Sequence, residues 1–218
     1  MQFSHYRITS YIFTAIITFI VFAACRQTGN NVEGLTVKDT LKTARANEYV
    51  LIDQSPLDIS YCPTDFPQLK MNDPSSANTP VARVIYSRPH KKGRIIFGDD
   101  VKSICPYGKP WRLGANESTE IEFFKPVVIN GKNINAGKYV LYCIPYADRW
   151  VIVFNGNLNS WGLNIDASKD IFKTEIPVQA QSPGLEDFTM FFIENATGAD
   201  LLMAWDTVKT LLPLTYSK

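Results

Sequence analysis

Short runs of β-branched and aromatic residues, separated by turn residues, follow one another along the chain from about Glu48 to the carboxyl end. Such runs are typical of antiparallel sheets that pack face to face. Few spans have the periodicity of an amphipathic helix. The pattern therefore predicts a single all-β domain over residues 48–218, an antiparallel β-sandwich of about nine or ten strands with little helix.

The predicted strands differ in how they divide apolar from polar positions. Ile121 and Phe123 lie on one face of a strand, while Glu120 and Glu122 lie on the other. One face of that strand is therefore expected to be buried and the other solvated. The full set of predicted strands is Val81–Ser87, Gly93–Phe97, Thr119–Phe124, Val127–Ile129, Lys138–Ile144, Trp150–Phe154, Ile171–Val178, Phe188–Glu194, Asp200–Trp205 and Val208–Leu214.

Other segments give sharper local expectations. Phe188–Ile193 is apolar on both faces, which predicts a central strand that is covered on both sides. Asn130-Gly131 predicts a type I′ hairpin turn, and Ala136-Gly137 predicts a turn before the next strand. Residues 54–80 contain five prolines, and an irregular arm that packs on the sheets is predicted there.

The first 24 residues follow a different pattern. An apolar run comes after Arg7, their only fixed charge, and small residues stand directly before Cys25. The run is too short and wrongly flanked for a stable transmembrane helix, so residues 1–24 are predicted to be a signal peptide. Phe22-Ala23-Ala24-Cys25 resembles the lipobox of bacterial lipoproteins, which implies cleavage before Cys25 and acylation of its thiol. The lipobox usually carries Leu where this chain has Phe22, and an ordinary secretory signal also fits.

Residues 25–47 are polar and show no sustained periodicity, so they are predicted to form a flexible, lipid-anchored tether. The expected location is the bacterial cell envelope, with the domain facing the periplasm and attached to the membrane through Cys25. Buried acyl chains contribute about 0.8 kcal/mol per CH₂ group, so membrane attachment requires no apolar patch on the domain.

The charge balance and the scarcity of histidine narrow the class of ligand. The 22 Lys and Arg residues oppose 21 Asp and Glu residues, so the chain lacks the positive field that holds a polyanion. No nucleic-acid partner is therefore predicted. Only two histidines occur, and no Cys/His spacing of the zinc type is present. Neither a metal site nor a cofactor is predicted.

Three further cysteines follow Cys25 in the chain. In an oxidising compartment, Cys62, Cys105 and Cys143 allow one disulfide and one free thiol, with three alternative pairings. Cys143 shares one face of a predicted strand with Leu141, which predicts a buried, small apolar side chain.

Two segments between predicted strands differ from the merely polar loops that are expected in a sandwich. They are Tyr86-Ser87-Arg88-Pro89-His90-Lys91-Lys92-Gly93-Arg94-Ile95-Ile96-Phe97-Gly98 and Pro106-Tyr107-Gly108-Lys109-Pro110-Trp111-Arg112-Leu113-Gly114-Ala115-Asn116-Glu117-Ser118-Thr119. The side chains in them that are best suited to bind a ligand are Arg88, Arg94, Trp111, Arg112, Asn116 and Glu117.

These segments resemble the motifs of the bacterial domain-of-unknown-function family 2911, which read roughly Tyr-Ser-Arg-Pro, Lys-Gly-Arg-x-Ile-Phe-Gly, Pro-Tyr-Gly and Trp-Arg-x-Gly-Ala-Asn-Glu. The resemblance continues through Tyr142–Pro145 and Asn155–Gly162 and covers most of Ser55–Leu214. It implies an exported, often lipid-anchored β domain, and it supplies no catalytic residue. The spacer at 99–105 is longer than is usual in the family, so Cys105 lies in an insertion and is not interpreted as a nucleophile.

The chemistry of these side chains indicates ligand recognition. An arginine fork matches carboxylate, phosphate or sulfate groups bidentately, and Trp111 offers a flat stacking face. If Arg88, Arg112 and Glu117 converge, they form a polar pocket for a small anionic or polyhydroxyl ligand. Asn116 would add an amide to that pocket. The competing interpretation is an internal pair between an arginine and Glu117 that pins the long loop onto the sandwich.

Exposed aromatic rings would suit a glycan ligand. Trp111 and Trp161 lie in loop-like contexts, where they predict either a stacking platform or caps on the open ends of the sandwich. Trp150 and Trp205 fall within or at the ends of predicted strands and are expected in the core.

A hydrolase would need a base, and His90 is the only histidine of the predicted mature chain. No Gly-x-Ser-x-Gly elbow surrounds the nearby Ser87, and His90 lies in a basic turn where a solvated side chain is expected. We therefore predict a non-enzymatic binding or envelope-accessory module. The alternative is an envelope enzyme of unknown class that uses Glu117 and Arg112 in a cleft.

Overall fold

A computed structural model describes residues 55–75 and 79–216. The predicted signal peptide, Cys25 and the predicted tether lie outside the described residues. Within the described ranges, no helix is long and apolar enough to cross a membrane.

Twelve strands, one short α-helix and one 3₁₀ turn make up the regular structure of the described ranges. The strands are β1 Leu57–Cys62, β2 Ala82–Ser87, β3 Phe97–Gly98, β4 Cys105–Pro106, β5 Thr119–Phe123, β6 Val127–Ile129, β7 Lys132–Ile134, β8 Gly137–Pro145, β9 Arg149–Asn155, β10 Asp170–Pro177, β11 Gln179–Glu194 and β12 Gly198–Thr215. Helix α1 is Phe66–Asn72, and the 3₁₀ turn is Ala167–Lys169.

The strands form two antiparallel sheets and one small parallel pair. The six-stranded sheet has the order β1-β2-β5-β8-β9-β10, and the four-stranded sheet has the order β11-β12-β6-β7. Strands β3 and β4 pair in parallel beside them. One cluster of buried side chains contains residues from both larger sheets. The predicted all-β antiparallel sandwich is therefore confirmed.

The core contains the two tryptophans that the strand pattern predicts there. Trp150 and Trp205 are completely buried. Cys143 is also completely buried, as the alternation along β8 predicts. In β5, Ile121 and Phe123 are buried while the intervening Glu122 is partly exposed, so the predicted one-sided strand is confirmed.

The predicted hairpin at Asn130-Gly131 joins β6 to β7. Val127 pairs with Ile134 across this hairpin. The φ angles of Asn130 and Gly131 are 47° and 77°, as a type I′ turn requires. The hairpin is therefore confirmed.

Strand β11 corrects the expectation for Phe188–Ile193. β11 lies at one edge of the four-stranded sheet and is not central. Its buried side chains include Phe188 and Phe192, whereas Phe191 is 42% exposed and Ile193 is 40% exposed. The strand is apolar on both faces, yet only one face enters the core.

Other element boundaries also differ from expectation. Strand β1 lies inside the predicted irregular arm, where it pairs with β2 from Leu57 opposite Ser87 to Cys62 opposite Ala82. The predicted strand Gly93–Phe97 is mostly loop, and only its last residue enters β3. The two strands predicted over residues 200–205 and 208–214 are one continuous strand, β12.

All three cysteines of the described part are buried and free, so none of the alternative disulfide pairings is formed. Burial raises the pKa of the Cys62, Cys105 and Cys143 thiols above the ordinary value. A raised pKa keeps a thiol protonated and unreactive at neutral pH.

Candidate functional site

The Trp-Arg segment enters the fold through a two-way backbone contact with β8. The Trp111 N–H donates to the Cys143 carbonyl at 2.7 Å, and the Cys143 N–H donates to the Trp111 carbonyl at 2.8 Å. The side chains of Trp111 and Leu113 point into the core, whereas that of Arg112 between them points away from it. Trp111 is 7% exposed and Leu113 is completely buried, whereas Arg112 is half-buried.

Trp111 lies at the centre of an aromatic cluster. Its ring stacks on Trp205 with centroids 5.8 Å apart and meets Phe188 edge-on at 4.9 Å. Its Nε1–H donates to the Gly114 carbonyl at 3.2 Å. Trp111 therefore lacks the exposed face that a stacking platform with Trp161 needs. Trp161 is half exposed, as its loop context suggests.

A second segment, Asn157–Ile165, covers Arg112, and we call it the strap. Glu117 and Trp161 form an isolated antiparallel bridge, which binds the strap to the loop after Arg112. The Ser118 hydroxyl strengthens this contact by donating to the Ser160 carbonyl at 2.8 Å. The segments Trp111–Thr119 and Asn155–Gly162 are thus in direct contact.

Gly162 is the position where the strap comes closest to Arg112. A Cβ atom at residue 162 would lie 2.3 Å from Cδ of Arg112 and 2.8 Å from the carbonyl oxygen of Asn116. Neither distance can hold a methyl group. Glycine is therefore required for close approach, and the strap fixes the position of the arginine side chain.

The positive charge of Arg112 is only partly compensated by the groups around it. Its Nε atom is buried and has no hydrogen-bond partner among the described residues. Burial lowers the pKa of the guanidinium, and the negative charge of Glu117 opposes that effect. An arginine remains protonated under such a shift, so Arg112 is a half-buried cation with spare donor capacity.

The internal pair between an arginine and Glu117 is not formed. Glu117 is exposed, and no ion pair between it and Arg112 or Arg88 occurs within the described ranges. Its contact with the strap is made through the backbone. The loop is therefore pinned by Trp111 and by the strap rather than by a salt bridge.

A cavity of about 180 Å³ opens beside Arg112. It is lined by Ile104, Pro110, Trp111, Arg112, Gly114, Gly162, Leu163 and Ile165. Arg112 is the one charged residue of this lining, and the other side chains are apolar. The cavity combines a cation with apolar walls.

The two other arginines of the predicted surface lie at different cavities. Arg88 pairs with Asp58 at 3.1 Å, in a groove of about 460 Å³ between β1, α1 and β11. The Tyr86 hydroxyl donates to the same carboxylate at 3.1 Å, and burial raises the pKa of Tyr86 to about 12. Arg94 lines a third cavity that shares no lining residue with the other two.

The six predicted binding residues therefore do not converge on one surface. Trp111 and Arg112 line the same cavity, while Asn116 and Glu117 support it through their backbone under the strap. Asn116 adopts φ 57°, which turns the chain sharply at this point. Backbone contact does join the first motif segment to the second, because a Cβ at Gly114 would lie 3.0 Å from the Ser87 carbonyl oxygen.

Sequence reasoning did not select the apolar side of the cavity. Gly162, Leu163 and Ile165 come from the strap, and Ile104 comes from the insertion before β4. The family resemblance over Asn155–Gly162 was the one available signal for the strap. The insertion gave no signal, because nothing in its composition indicates which way Ile104 points.

Ser87 and His90 do not form a nucleophile and base pair. Ser87 is buried, and its hydroxyl has no hydrogen-bond partner among the described residues. His90 is hydrogen-bonded through Nδ1 to Asp187 instead, so it is not the freely solvated side chain that its basic turn predicts. Within the same ranges, no group of three or more His, Cys, Asp or Glu side chains could hold a metal ion.

No curated protein and no solved structure matches the chain. The family model described as "Protein of unknown function (DUF2911)" matches residues 72–214. This range contains β2 to β11 and nearly all of β12, together with every residue that lines the Arg112 cavity. Because the match extends over more than half of the sequence and includes both motif segments and the strap, the chain belongs to the DUF2911 family of proteins of unknown function.

Proposed function

We propose that the protein is a non-enzymatic binding module of the bacterial cell envelope, and that it holds a small anion at the Arg112 cavity. The observation that carries this proposal is the position of the Arg112 guanidinium, which is the one charged group in the lining of a cavity whose other side chains are apolar. No ion pair of this guanidinium occurs within the described ranges, and an anion in the cavity would supply one.

The walls of the cavity indicate what else the ligand carries. A volume of about 180 Å³ corresponds to about six water molecules in the liquid, at about 30 Å³ each. Pro110, Leu163 and Ile165 contribute apolar surface to the lining. A short carboxylate with an aliphatic body fits both the size and the charge.

The position of Glu117 argues against the enzyme alternative. A carboxylate that acts as a base must reach into the cleft beside the substrate. Glu117 is exposed and is not part of the cavity lining, and the lining contains no other carboxylate, hydroxyl or thiol group. The glycan alternative loses support for a different reason, since the ring of Trp111 is covered by other aromatic rings.

Isothermal titration of the full-length protein with carboxylates from acetate to hexanoate tests the ligand proposal. We expect the four- or five-carbon members to bind most tightly and neutral butanol not to bind. R112Q is expected to weaken binding by about tenfold or more, the loss that follows from one charge-assisted hydrogen bond. The matched control R149Q removes an exposed arginine on β9 that pairs with Asp148.

Two results would overturn the ligand proposal. One is the absence of heat with every carboxylate at millimolar concentration. The other is an equal loss of affinity in R112Q and R149Q, which would show that overall charge rather than the cavity governs binding.

The envelope location rests on the sequence around Cys25, where Phe22-Ala23-Ala24 precedes the cysteine. Expression in a bacterium that is fed an alkyne-labelled fatty acid tests it. The wild-type protein is expected to incorporate the label and to partition with membranes, and C25A is expected to lose both properties. A wild-type protein that is exported without label would contradict the lipid anchor and would favour an ordinary secretory signal.

A further inference from the structure

The groove between β1, α1 and β11, which we call the edge groove, lies where the two large sheets meet. β1 is an edge strand of the six-stranded sheet, and β11 is an edge strand of the four-stranded sheet. The Phe192 N–H of β11 donates to the Ser60 hydroxyl of β1 at 3.3 Å and joins the two edges. The groove beside this contact has a volume of about 460 Å³, which is within the usual range of small-molecule binding sites.

Two charged side chains that line the edge groove, Asp58 and Arg88, are bonded to each other. Nη1 of Arg88 and the Tyr86 hydroxyl each donate to Oδ2 of Asp58 at 3.1 Å. The Ile59 N–H donates to the other carboxylate oxygen at 2.8 Å. An anion near Arg88 would also lie near the Asp58 carboxylate, which would repel it. The pair therefore favours a neutral ligand over an anion.

The fold holds this pair in place and leaves it accessible. The buried Tyr86 ring meets Phe188 edge-on with centroids 5.7 Å apart. The Arg88 N–H donates to the Pro56 carbonyl at 3.0 Å, which fixes the chain at the end of β2. The side chains of Arg88 and Asp58 are still 38% and 39% exposed. A ligand in the groove can therefore reach both planar groups without a rearrangement of the core.

Uncharged polar side chains of the groove can serve as both donors and acceptors. The Ser60 hydroxyl accepts from the Phe192 N–H and keeps its own hydrogen for another acceptor. The Thr189 hydroxyl donates to the Asp187 carbonyl at 3.1 Å and keeps its oxygen lone pairs for another donor. The uncharged side chains of this kind in the lining are those of Ser60, Thr64, Gln68 and Thr189. Sugar hydroxyls, which donate and accept, match such a set.

Large apolar side chains line the same groove and remain in contact with water. Phe191 is 42% exposed and Ile59 is 47% exposed. Tyr61 also lines the groove, and its ring lies against Phe66 of α1 with centroids 5.7 Å apart. A sugar ring has C–H faces between its hydroxyl groups, and an aromatic ring can cover such a face. Covering Phe191 would remove apolar surface from water.

The backbone edge of β11 is poorly suited to an added peptide strand. Addition of a strand requires free N–H groups along the edge. The Phe192 N–H is bonded to the Ser60 hydroxyl, and the Phe188 N–H donates to the Pro89 carbonyl at 3.1 Å. Recognition in the groove therefore depends on side chains, as it does for a small ligand.

We propose that the edge groove binds a neutral saccharide. Phe191 covers a C–H face of one sugar ring, and the Asp58–Arg88 pair bonds to neighbouring hydroxyl groups. The groove volume of about 460 Å³ corresponds to about fifteen water molecules at about 30 Å³ each, which leaves room for a disaccharide. The groove shares no lining residue with the Arg112 cavity, so neither the buried Trp111 ring nor the ligand proposed there bears on it.

Titration of the full-length protein with neutral disaccharides tests the proposal. The probes are maltose, cellobiose, lactose and N,N′-diacetylchitobiose, and glycerol is the control that has hydroxyl groups but no ring. We expect at least one disaccharide to bind at millimolar concentration and glycerol not to bind. The affinity should be the same at low and high salt, because the two charges of the groove are paired with each other.

Two exposed positions of β11 provide a matched pair of variants. Phe191 and Ile193 are exposed to nearly the same extent, at 42% and 40%, but Phe191 lines the groove and Ile193 does not. F191A is expected to weaken disaccharide binding by about fivefold or more, the effect of one aromatic contact. I193A should bind as the wild type does. Thermal unfolding scans should give similar midpoints for the two variants, because both side chains are exposed.

Gln68 tests the opposite wall of the groove, since it belongs to α1 and is exposed. Q68A is expected to weaken disaccharide binding by about fivefold, the effect of one neutral hydrogen bond. Its unfolding midpoint should stay close to that of the wild type.

Four outcomes would overturn the saccharide site. The first is the absence of binding by all four disaccharides at millimolar concentration. The second is wild-type affinity in both F191A and Q68A. The third is an equal weakening in I193A, which would show that β11 as a whole rather than the groove governs binding. The fourth is a steep loss of affinity with added salt, which would indicate a site for charged ligands.

Discussion

Asp170 carries a largely buried charge and Arg112 a half-buried one, and their surroundings differ completely. The Asp170 carboxylate accepts hydrogen bonds from the Tyr142 hydroxyl at 2.9 and 3.0 Å and from the Asn155 amide at 2.8 Å. It also pairs with the Lys173 ammonium at 2.8 Å, and its side chain is only 9% exposed. Arg112 has a buried Nε without any such partner in the described part of the chain.

The pKa shifts of Asp170 and Arg112 show the same difference in surroundings. Burial by itself would raise the pKa of Asp170, but the hydrogen bonds from Lys173, Asn155 and Tyr142 outweigh burial and lower it. For Arg112, burial dominates and lowers the pKa of the cation, against the weaker influence of Glu117. The charge of Asp170 is therefore balanced by neighbouring side chains of the fold, whereas the anion proposed for the cavity would balance the charge of Arg112.

The largest difference in stability is expected from D170A. Removal of the carboxylate leaves Tyr142, Asn155 and Lys173 without their common acceptor, so the free energy of unfolding should fall by about 3 kcal/mol. Urea denaturation measures this loss. D148A is the control, because Asp148 pairs with Arg149 at the exposed surface and should cost less than about 1 kcal/mol. Equal losses in the two variants would remove the contrast.

The next largest effect is expected from G162A. The new methyl group would overlap Cδ of Arg112, so the strap must shift and the free energy of unfolding should fall by about 2 kcal/mol. G156A provides the control, because a Cβ at residue 156 would lie 3.3 Å from the flexible end of Ile171 and at an ordinary contact distance of 3.6 Å from the Lys169 carbonyl oxygen. If G162A were as stable as G156A, the strap would not hold Arg112 in the way described.

The dependence of the free energy of unfolding on pH should reveal the contribution of the hydrogen-bonded Asp170 carboxylate. The folded pKa of Asp170 is lowered, so its contribution is complete above the unfolded value of about 3.9 and is lost as pH falls through the folded pKa. Urea unfolding from pH 6 to pH 2.5 should show that the free energy of unfolding decreases less in D170N than in the wild type. An identical decrease in both proteins would mean that Asp170 does not titrate differently in the folded protein.

The smallest effect on stability is expected from R112M. This variant removes a cation with an unpartnered buried donor and keeps most of the side-chain volume. The free energy of unfolding should change by less than about 1 kcal/mol, with a small gain more in keeping with the structure than a loss. A loss as large as that of D170A would show that Arg112 is a structural residue and would argue against the proposed ligand.

The alternation of apolar and polar residues along the chain was enough to predict most strands and their buried faces. Ile121 and Phe123 in β5 illustrate this, because each neighbouring glutamate marks the solvent side. Position within a sheet was harder to predict. Phe188–Ile193 is apolar on both faces, but sheet order depends on partners far along the chain, and β11 lies at an edge. Strand β1 was missed because prolines surround it.

The site was predictable as a set of residues but not as an arrangement. Leu113 and Asn116 have φ angles of 54° and 57°, and such left-handed positions reverse the chain within a few residues. Side chains that are close in sequence therefore leave the loop in different directions. Arg88 and Arg94 belong to a different loop, between β2 and β3, and the cavities they line are separate from that of Arg112.

Chemical labelling of the three buried thiols can show which part of the fold opens first. A thiol reagent attacks the thiolate, and burial with a raised pKa protects Cys62, Cys105 and Cys143 from that attack in the native state. Cys62 ends the edge strand β1, whereas Cys143 lies on an inner strand of the same sheet. The order in which they become labelled would therefore reveal whether the sandwich opens from its edge or from its centre.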